Sequence, residues 1–465
     1  MAATITTQNQ CRNFAPNVQH MAEAITPLLL RRVAGWLLLA LWAGAILDLA
    51  WDVPPDVAVV GLAAYVAIAL VHGSRQSRWL CSVLAGAIAM LGWTFGAVEA
   101  AFAGIERSLV FAAFLPTIVL VRATAELRPE IAEARRLFTN LDPSERTGGV
   151  LFGCHALASV ISIGIFGVLA PIIGATGSVE SRVAIVRVAI RSLCLGAVWS
   201  PFYLSVVLAS QYITTVPLWQ IIGLGLPFAA LGLVLSYFVL GDGAGGLLAL
   251  RRSLASLTPI IPGVALAATL VVAISGLSDL TTLQAIILGI PPLCLAGLLP
   301  LGISRFGEAV RATYRHLPEI GGEIGILVLA IALGAVFEAA LTGNLVAQEI
   351  AGLDFPPLGA IACVVIGISL AGLLGIHPIV AGTVVLVAST GLETGLADIV
   401  LMQAVLIGWA LGAMISFSGV SVVTASALFN VSPWRLIFGR NIAFAALFGS
   451  ISVLILGLLN WTLVG

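Results

Sequence analysis

Charge is scarce in this chain and lysine is absent: 465 residues hold 22 acidic and 21 basic side chains, and every basic one is arginine. Only 9% of residues are charged, against about 25% in soluble domains, which excludes an ordinary globular domain. The use of arginine alone reads as base composition and carries no functional weight. Six cysteines (Cys11, Cys81, Cys154, Cys194, Cys294, Cys363) stand singly with no C-x-x-C spacing, which excludes a disulfide framework and a cysteine metal centre. The glycine run Gly241-x-Gly243-x-Gly245-Gly246 lacks the P-loop lysine and follows no strand, so no nucleotide site is expected. No nucleophile with its base, no paired carboxylates and no metal-ligand cluster stand at catalytic spacing. The chain is therefore expected not to be an enzyme, to need no cofactor and to take no nucleic-acid partner.

What is present is apolar length. The chain is 60% hydrophobic with a mean hydropathy of +1.12, the composition of an all-α polytopic membrane protein. Arg31-Arg32 places the tail 1–32 in the cytoplasm by the positive-inside rule and makes 33–54 an extra N-terminal crossing rather than a cleaved signal. Segments near 55–72, 79–103 and 107–122 then cross in turn. Asp48, Asp52, Asp56 and Glu106 fall outside, while Arg75, Arg78 and the Arg-rich stretch 122–147 fall inside. Further crossings are expected near 190–210, 220–240, 256–275, 280–301, 321–340, 398–426 and 439–463. They leave Arg251, Arg252, Arg305, Arg311 and Arg315 inside, and Asp279, Glu349, Asp354, Glu393 and Asp398 outside. The charged stretches 126–146 and 302–320 read as helices on the cytoplasmic membrane surface.

Two segments fit no full crossing. One crossing over 148–175 would carry Arg182, Arg187 and Arg191 outside, so this Gly-rich segment (with Gly148, Gly149, Gly153, Gly164, Gly167, Gly174 and Pro171) is expected to be a re-entrant hairpin. Such backbone is tolerated where protein or a water-filled cavity covers it. The segment 355–390 reads as a second hairpin, opening to the other side. The three arginines are expected to snorkel to headgroups, or one of them to face an anionic substrate. The total is about 11 transmembrane helices plus two hairpins.

Residues 195–241 reappear without a gap as 411–457, with 19 identities in 47 positions. An odd number of crossings separates the copies, so the chain is read as two inverted repeats, 55–241 and 242–465, a transporter pattern. Each copy carries an interruption at the same place, Trp199-Ser200-Pro201-Phe202-Tyr203-Leu204-Ser205 and Ser416-Phe417-Ser418-Gly419-Val420-Ser421. Pro lacks a backbone donor and Gly weakens a helix, so the helices 182–210 and 398–426 are expected to unwind there. Freed N–H groups and the hydroxyls of Ser200, Ser205, Ser416, Ser418, Ser421 and Thr424 suit an anion, and freed carbonyls suit Na⁺. The competing reading makes these serines small residues at close helix contacts. Gly153-x-His155 in the first hairpin is echoed by Gly375-x-His377-Pro378 in the second. Each imidazole either caps hairpin-tip backbone or touches substrate or a proton. Glu338 is either an interfacial acid or a third proton-relay candidate beside His155 and His377.

Two inverted halves, each with a hairpin and a helix broken at Ser-bearing sequence, and an extra N-terminal helix resemble the ion transporter superfamily. That group includes divalent-anion/sodium symporters, arsenite permeases and the large subunits of tripartite ATP-independent periplasmic transporters. The resemblance is specific at 148–241 and 355–457, and the Ser-Asn-Thr signature of the divalent-anion symporters is replaced by Ser200-Pro201-Phe202 and Ser416-Phe417-Ser418. It implies secondary active transport of a small anion, coupled to Na⁺ or H⁺, in a homodimer of a bacterial inner membrane with the C-terminus periplasmic. Dicarboxylate specificity does not follow. An exporter or cation/proton antiporter on the same fold, and a non-catalytic subunit working beside an accessory protein, are the competing expectations.

Overall fold

The computed structural model describes residues 29–48, 55–139, 146–174, 178–241, 251–252, 254–255, 258–259, 261–278, 280–341, 356–390 and 395–464. The described residues are predominantly helical, without a strand. Nine helices among them are long and apolar enough to cross a membrane, as expected for an all-α membrane protein. The tail up to residue 28, the Gly243–Gly246 run, and Asp52, Asp279, Glu349, Asp354 and Glu393 lie outside the described residues.

The chain begins with α1 (Leu29–Asp48), α2 (Pro55–His72), α3 (Arg75–Phe95), α4 (Val98–Arg107), α5 (Phe111–Glu126) and α6 (Pro129–Thr139). The crossing expected over 79–103 is divided. Gly96 adopts a left-handed φ of 65° and its N–H bonds Gly92 O, ending α3, which is how glycine terminates a helix. The chain then runs from α4 into α5, so that 98–126 forms one bent apolar span instead of a crossing confined to 107–122.

Next come α7 (Arg146–Ile161), α8 (Ile165–Gly174), α9 (Val179–Leu195), α10 (Leu204–Tyr212) and α11 (Leu218–Val234). The turn between α7 and α8 falls at Ser162, with a left-handed φ of 48°. Gly153 and His155 are inside α7, so the expected tip at Gly153-x-His155 is displaced by about two helical turns. No proline follows His155, and a glycine alone does not break a well-packed helix. After α11 come α12 (Ile261–Leu277), α13 (Thr282–Leu298), α14 (Ile303–His316) and α15 (Gly321–Leu341). A capping box between Thr281 and Gln284 starts α13, satisfying two otherwise orphaned N–H groups.

The last group is α16 (Pro357–Leu373), α17 (Pro378–Thr390), α18 (Asp398–Ile415), α19 (Val420–Phe429), α20 (Pro433–Ile437) and α21 (Arg440–Val464). The turn between α16 and α17 is at the expected place: Gly375 has a φ of 88°, and Ile376 N–H bonds Ala371 O at 2.9 Å. With 17 and 13 residues, α16 and α17 are about 26 and 20 Å long, short of the ~30 Å hydrocarbon core.

The helices pack in two sets. The first contains α1–α5 and α12–α15, with α15 seated among α2, α3 and α4; the second contains α7–α11 and α16–α21, centred on α18. Small residues allow that centre: a Cβ on Gly372 of α16 would stand 2.6 Å from Gly412 O of α18, so the two backbones touch. The sets meet where α15 packs on α17 and α5 on α7.

Candidate functional site

Both interruptions are present and are built alike. Helix α9 gives way to a single 3₁₀ turn and then to non-helical Trp199–Tyr203, and α18 ends at Ser416 before α19 begins at Val420. Ser205 Oγ donates to Ala197 O at 2.8 Å, eight residues back, and Ser421 Oγ donates to Ala413 O at 2.9 Å, also eight residues back. Phe202 N–H bonds Ser200 Oγ at 3.3 Å, and Ser418 N–H bonds Ser416 Oγ at 3.1 Å. Tyr203 N–H meets Ser200 O and Val207 N–H meets Tyr203 O, as Gly419 N–H meets Ser416 O and Val423 N–H meets Gly419 O. All eight bonds join residues related by the sequence match. The serines thus satisfy the backbone groups that unwinding orphans.

That use restricts their chemistry. With its proton committed to a carbonyl, the hydroxyl of Ser205 or Ser421 turns lone pairs outward, which suits a cation better than an anion. Ser200 is fully buried and donates to Ser159 O at 2.5 Å.

A cavity of about 190 Å³ lies between the two breaks. Ala197, Tyr203 and Ser205 border it from the first, Ala413, Gly419 and Ser421 from the second, and His377 and Pro378 from the turn before α17. Ser162 and Ile163 at the α7–α8 turn, and Arg122 of α5 and Glu323 of α15, complete it. A second cavity of about 350 Å³, bordered by Arg31, Gln76, Glu319 and Ser418, shares Glu323, His377 and Val420 with the first. It forms a vestibule beside the central cavity.

Of the residues singled out from sequence, Ser205, Gly419, Ser421, His377 and Pro378 come together around the central cavity, and Ser418 borders the vestibule. Ser200, Pro201, Ser416, Thr424, Gly153, His155, Gly375 and Glu338 border neither. His155 spans protein groups with both ring nitrogens: Nδ1 is 3.1 Å from Ser192 O, and Trp199 Nε1 donates to Nε2 at 3.1 Å. It pins the first break against α7. His377 Nδ1 accepts from Ile379 N–H at 3.3 Å and so caps α17 while its ring borders the cavity. Glu338 of α15 pairs with Arg107 of α4 at 2.9 Å and borders neither cavity.

The snorkelling expected of the three arginines fails for Arg191. Its side chain is fully buried, bonded to Asn441 Oδ1 at 3.0 and 3.2 Å and to Ser236 Oγ at 2.5 Å, with Phe444 5.1 Å below the guanidinium. Arg187 donates to Arg435 O and Phe438 O, both at 2.6 Å, capping the C-terminal carbonyls of α20. Both tie the first copy to the second.

Two residues of the cavity were missed in the sequence, Arg122 and Glu323. Arg122 falls at the edge drawn for a crossing over 107–122 and merges there with the cytoplasmic arginines; Glu323 opens an apolar run. Arg122 Nε is buried without a hydrogen-bond partner. The chain matches no protein-family model and no curated protein.

Proposed function

We propose that this chain is a secondary active transporter moving a small anion across the membrane by cation-coupled alternating access, with an architecture of the ion transporter superfamily kind. The observation that carries this reading is the single cavity bordered by both like-built breaks, by the turns before α8 and α17, and by α5 and α15. Unwound backbone at the meeting of two halves is where transporters bind their solutes. The short limbs of α16 and α17 suit a hairpin that enters and leaves from one side. Shared residues join the vestibule to the cavity and make it the path inward. Exchange of access then requires the set containing the breaks to move against the set containing α15.

The test is uptake into proteoliposomes of labelled small carboxylates and inorganic oxyanions, compared between wild type and Val420→Trp. Val420 borders both cavity and vestibule, so the indole fills the passage. Uptake by wild type and its loss in a monodisperse variant with an unchanged melting temperature are expected. No uptake of any anion by wild type, under sodium or pH gradients of either direction, overturns the reading.

A further inference from the structure

Arg122 and Glu323 carry the two formal charges that border the central cavity. They approach from different helices of the same set, α5 and α15, yet no ion pair within 4.0 Å joins them among the described residues. Arg122 is held from behind: a Cβ on Gly164 would meet its Cδ and Nε at 3.2 Å. Its fork is thereby aimed by the α7–α8 turn and retains a buried, unused donor. A planar guanidinium with a free edge is a geometric match to a carboxylate.

The remaining groups around Glu323 are already committed. Tyr65 on α2, whose hydroxyl lies beside Gly321, donates its proton to Leu317 O at 3.2 Å. His377 uses Nδ1 as an acceptor for the N-cap of α17, and protonation there would set a donor against the Ile379 N–H. On α3 Cys81 lies beside Gly325, and the charged Arg75 and Arg78 border neither cavity. On α4 Arg107 is taken by Glu338. Glu319 and Arg31 stand in the vestibule. Arg122 and Glu323 are left as the uncommitted cation and the uncommitted acid of the cavity.

Resting on the transport reading above, we propose that Arg122 is the substrate ligand and Glu323 the coupling acid, and that the substrate is a small monocarboxylate carried with one proton. With Glu323 ionised the cavity is neutral, and an entering anion would face that carboxylate in a confined space, which is unfavourable for an uncompensated charge. With Glu323 protonated the cavity holds one positive charge, which a monoanion neutralises and a dianion over-neutralises. Glu323 borders the vestibule as well as the cavity, so the proton has a path to it from the side by which the anion enters.

The experiment measures binding of L-lactate, pyruvate and succinate to the purified full chain over pH 5–8. Wild-type affinity for the two monocarboxylates is expected to fall about tenfold per pH unit above the titration of Glu323, and succinate to bind at least tenfold more weakly. Glu323→Gln should bind monocarboxylates with no pH slope, exchange lactate for lactate across proteoliposomes, and lose uptake driven by a pH gradient. Arg122→Gln should lose binding by at least a hundredfold. Arg122→Lys, which keeps the charge without the fork, should lose about tenfold and keep the slope, guarding against a variant that fails to fold. A pH slope that persists in Glu323→Gln, wild-type-like binding by Arg122→Gln, or no binding of either monocarboxylate overturns the proposal. Binding with the expected slope but no flux in any variant would retain the two residue roles and remove transport.

Discussion

The two like-sequenced segments share a frame and differ in what surrounds it. In both, a serine hydroxyl reaches eight residues back across the gap. The first break borders the central cavity but is sealed from the vestibule: Ser200 is bonded to Ser159 O, Trp199 to His155, and Gln403 of the other half donates to Val198 O at 3.2 Å. The second stands at the vestibule, where Gln76 from α3 reaches Ser418 O at 3.1 Å. Position 225 is Gly and its partner 441 is Asn. The glycine lets Val198 O come close, and the asparagine holds Arg191. The two breaks thus share one hydrogen-bond frame, and differences at a few positions decide which one is pinned by its neighbours and which one borders the vestibule.

The comparison breaks hardest at Gly225. A Cβ there would stand 2.4 Å from Val198 O and 2.7 Å from Trp199 Cβ, neither the end of a flexible chain. Gly225→Ala is expected to destabilise by about 3 kcal/mol, the upper range for overpacking a filled site. Gly223→Ala, where a Cβ meets nothing within 4 Å, should leave the melting temperature in detergent unchanged. Equal effects of the two would remove the claim that the first break is sealed by close approach.

A smaller contrast separates Ser236 from Ser452, matched positions with opposite fates. Ser236 accepts from Arg191, while Ser452 is buried with its hydroxyl unpartnered. Ser236→Ala should cost about 1–3 kcal/mol by depriving a buried guanidinium of an acceptor, and Ser452→Ala should be neutral or stabilising by about 1 kcal/mol. Thermal unfolding of both variants reads the difference directly. Destabilisation by Ser452→Ala would mean that its hydroxyl has work this packing does not reveal.

The sequence made the all-α membrane class and the two breaks legible because each rests on a local signal: apolar length for the helices, and Pro or Gly beside Ser for the unwinding. The turn at Gly375-x-His377-Pro378 was legible for the same reason. The turn at Ser162 was not, since nothing in Val160-Ile161-Ser162-Ile163 marks a left-handed residue, and the glycine and histidine of Gly153-x-His155 drew attention to a continuous helix. Arg122 and Glu323 were lost to a different cause. A window of hydropathy assigns a charge at the end of an apolar run to the membrane surface, whereas the bent span 98–126 carries Arg122 into the interior. Whether a charge borders water, lipid or a cavity is a property of packing between distant helices, and no single segment encodes it.

The smallest expected effect on stability is at Gln76. Its bond to Ser418 O is exposed, so Gln76→Ala should shift stability by no more than about 0.5 kcal/mol. Its effect on rate should be larger in proportion, because the bond ties α3 of one helix set to the vestibule-facing break of the other. If the sets move against each other, that bond exists in one arrangement only. Removing about 0.5 kcal/mol from that arrangement lowers the barrier out of it enough for about a twofold rise in the rate of leaving. Exchange in proteoliposomes should therefore quicken by up to that factor in Gln76→Ala, while Gln403→Ala, at the sealed break, should lower stability and leave the rate alone. A Gln76→Ala variant with wild-type exchange would place the movement elsewhere than between α3 and the second break.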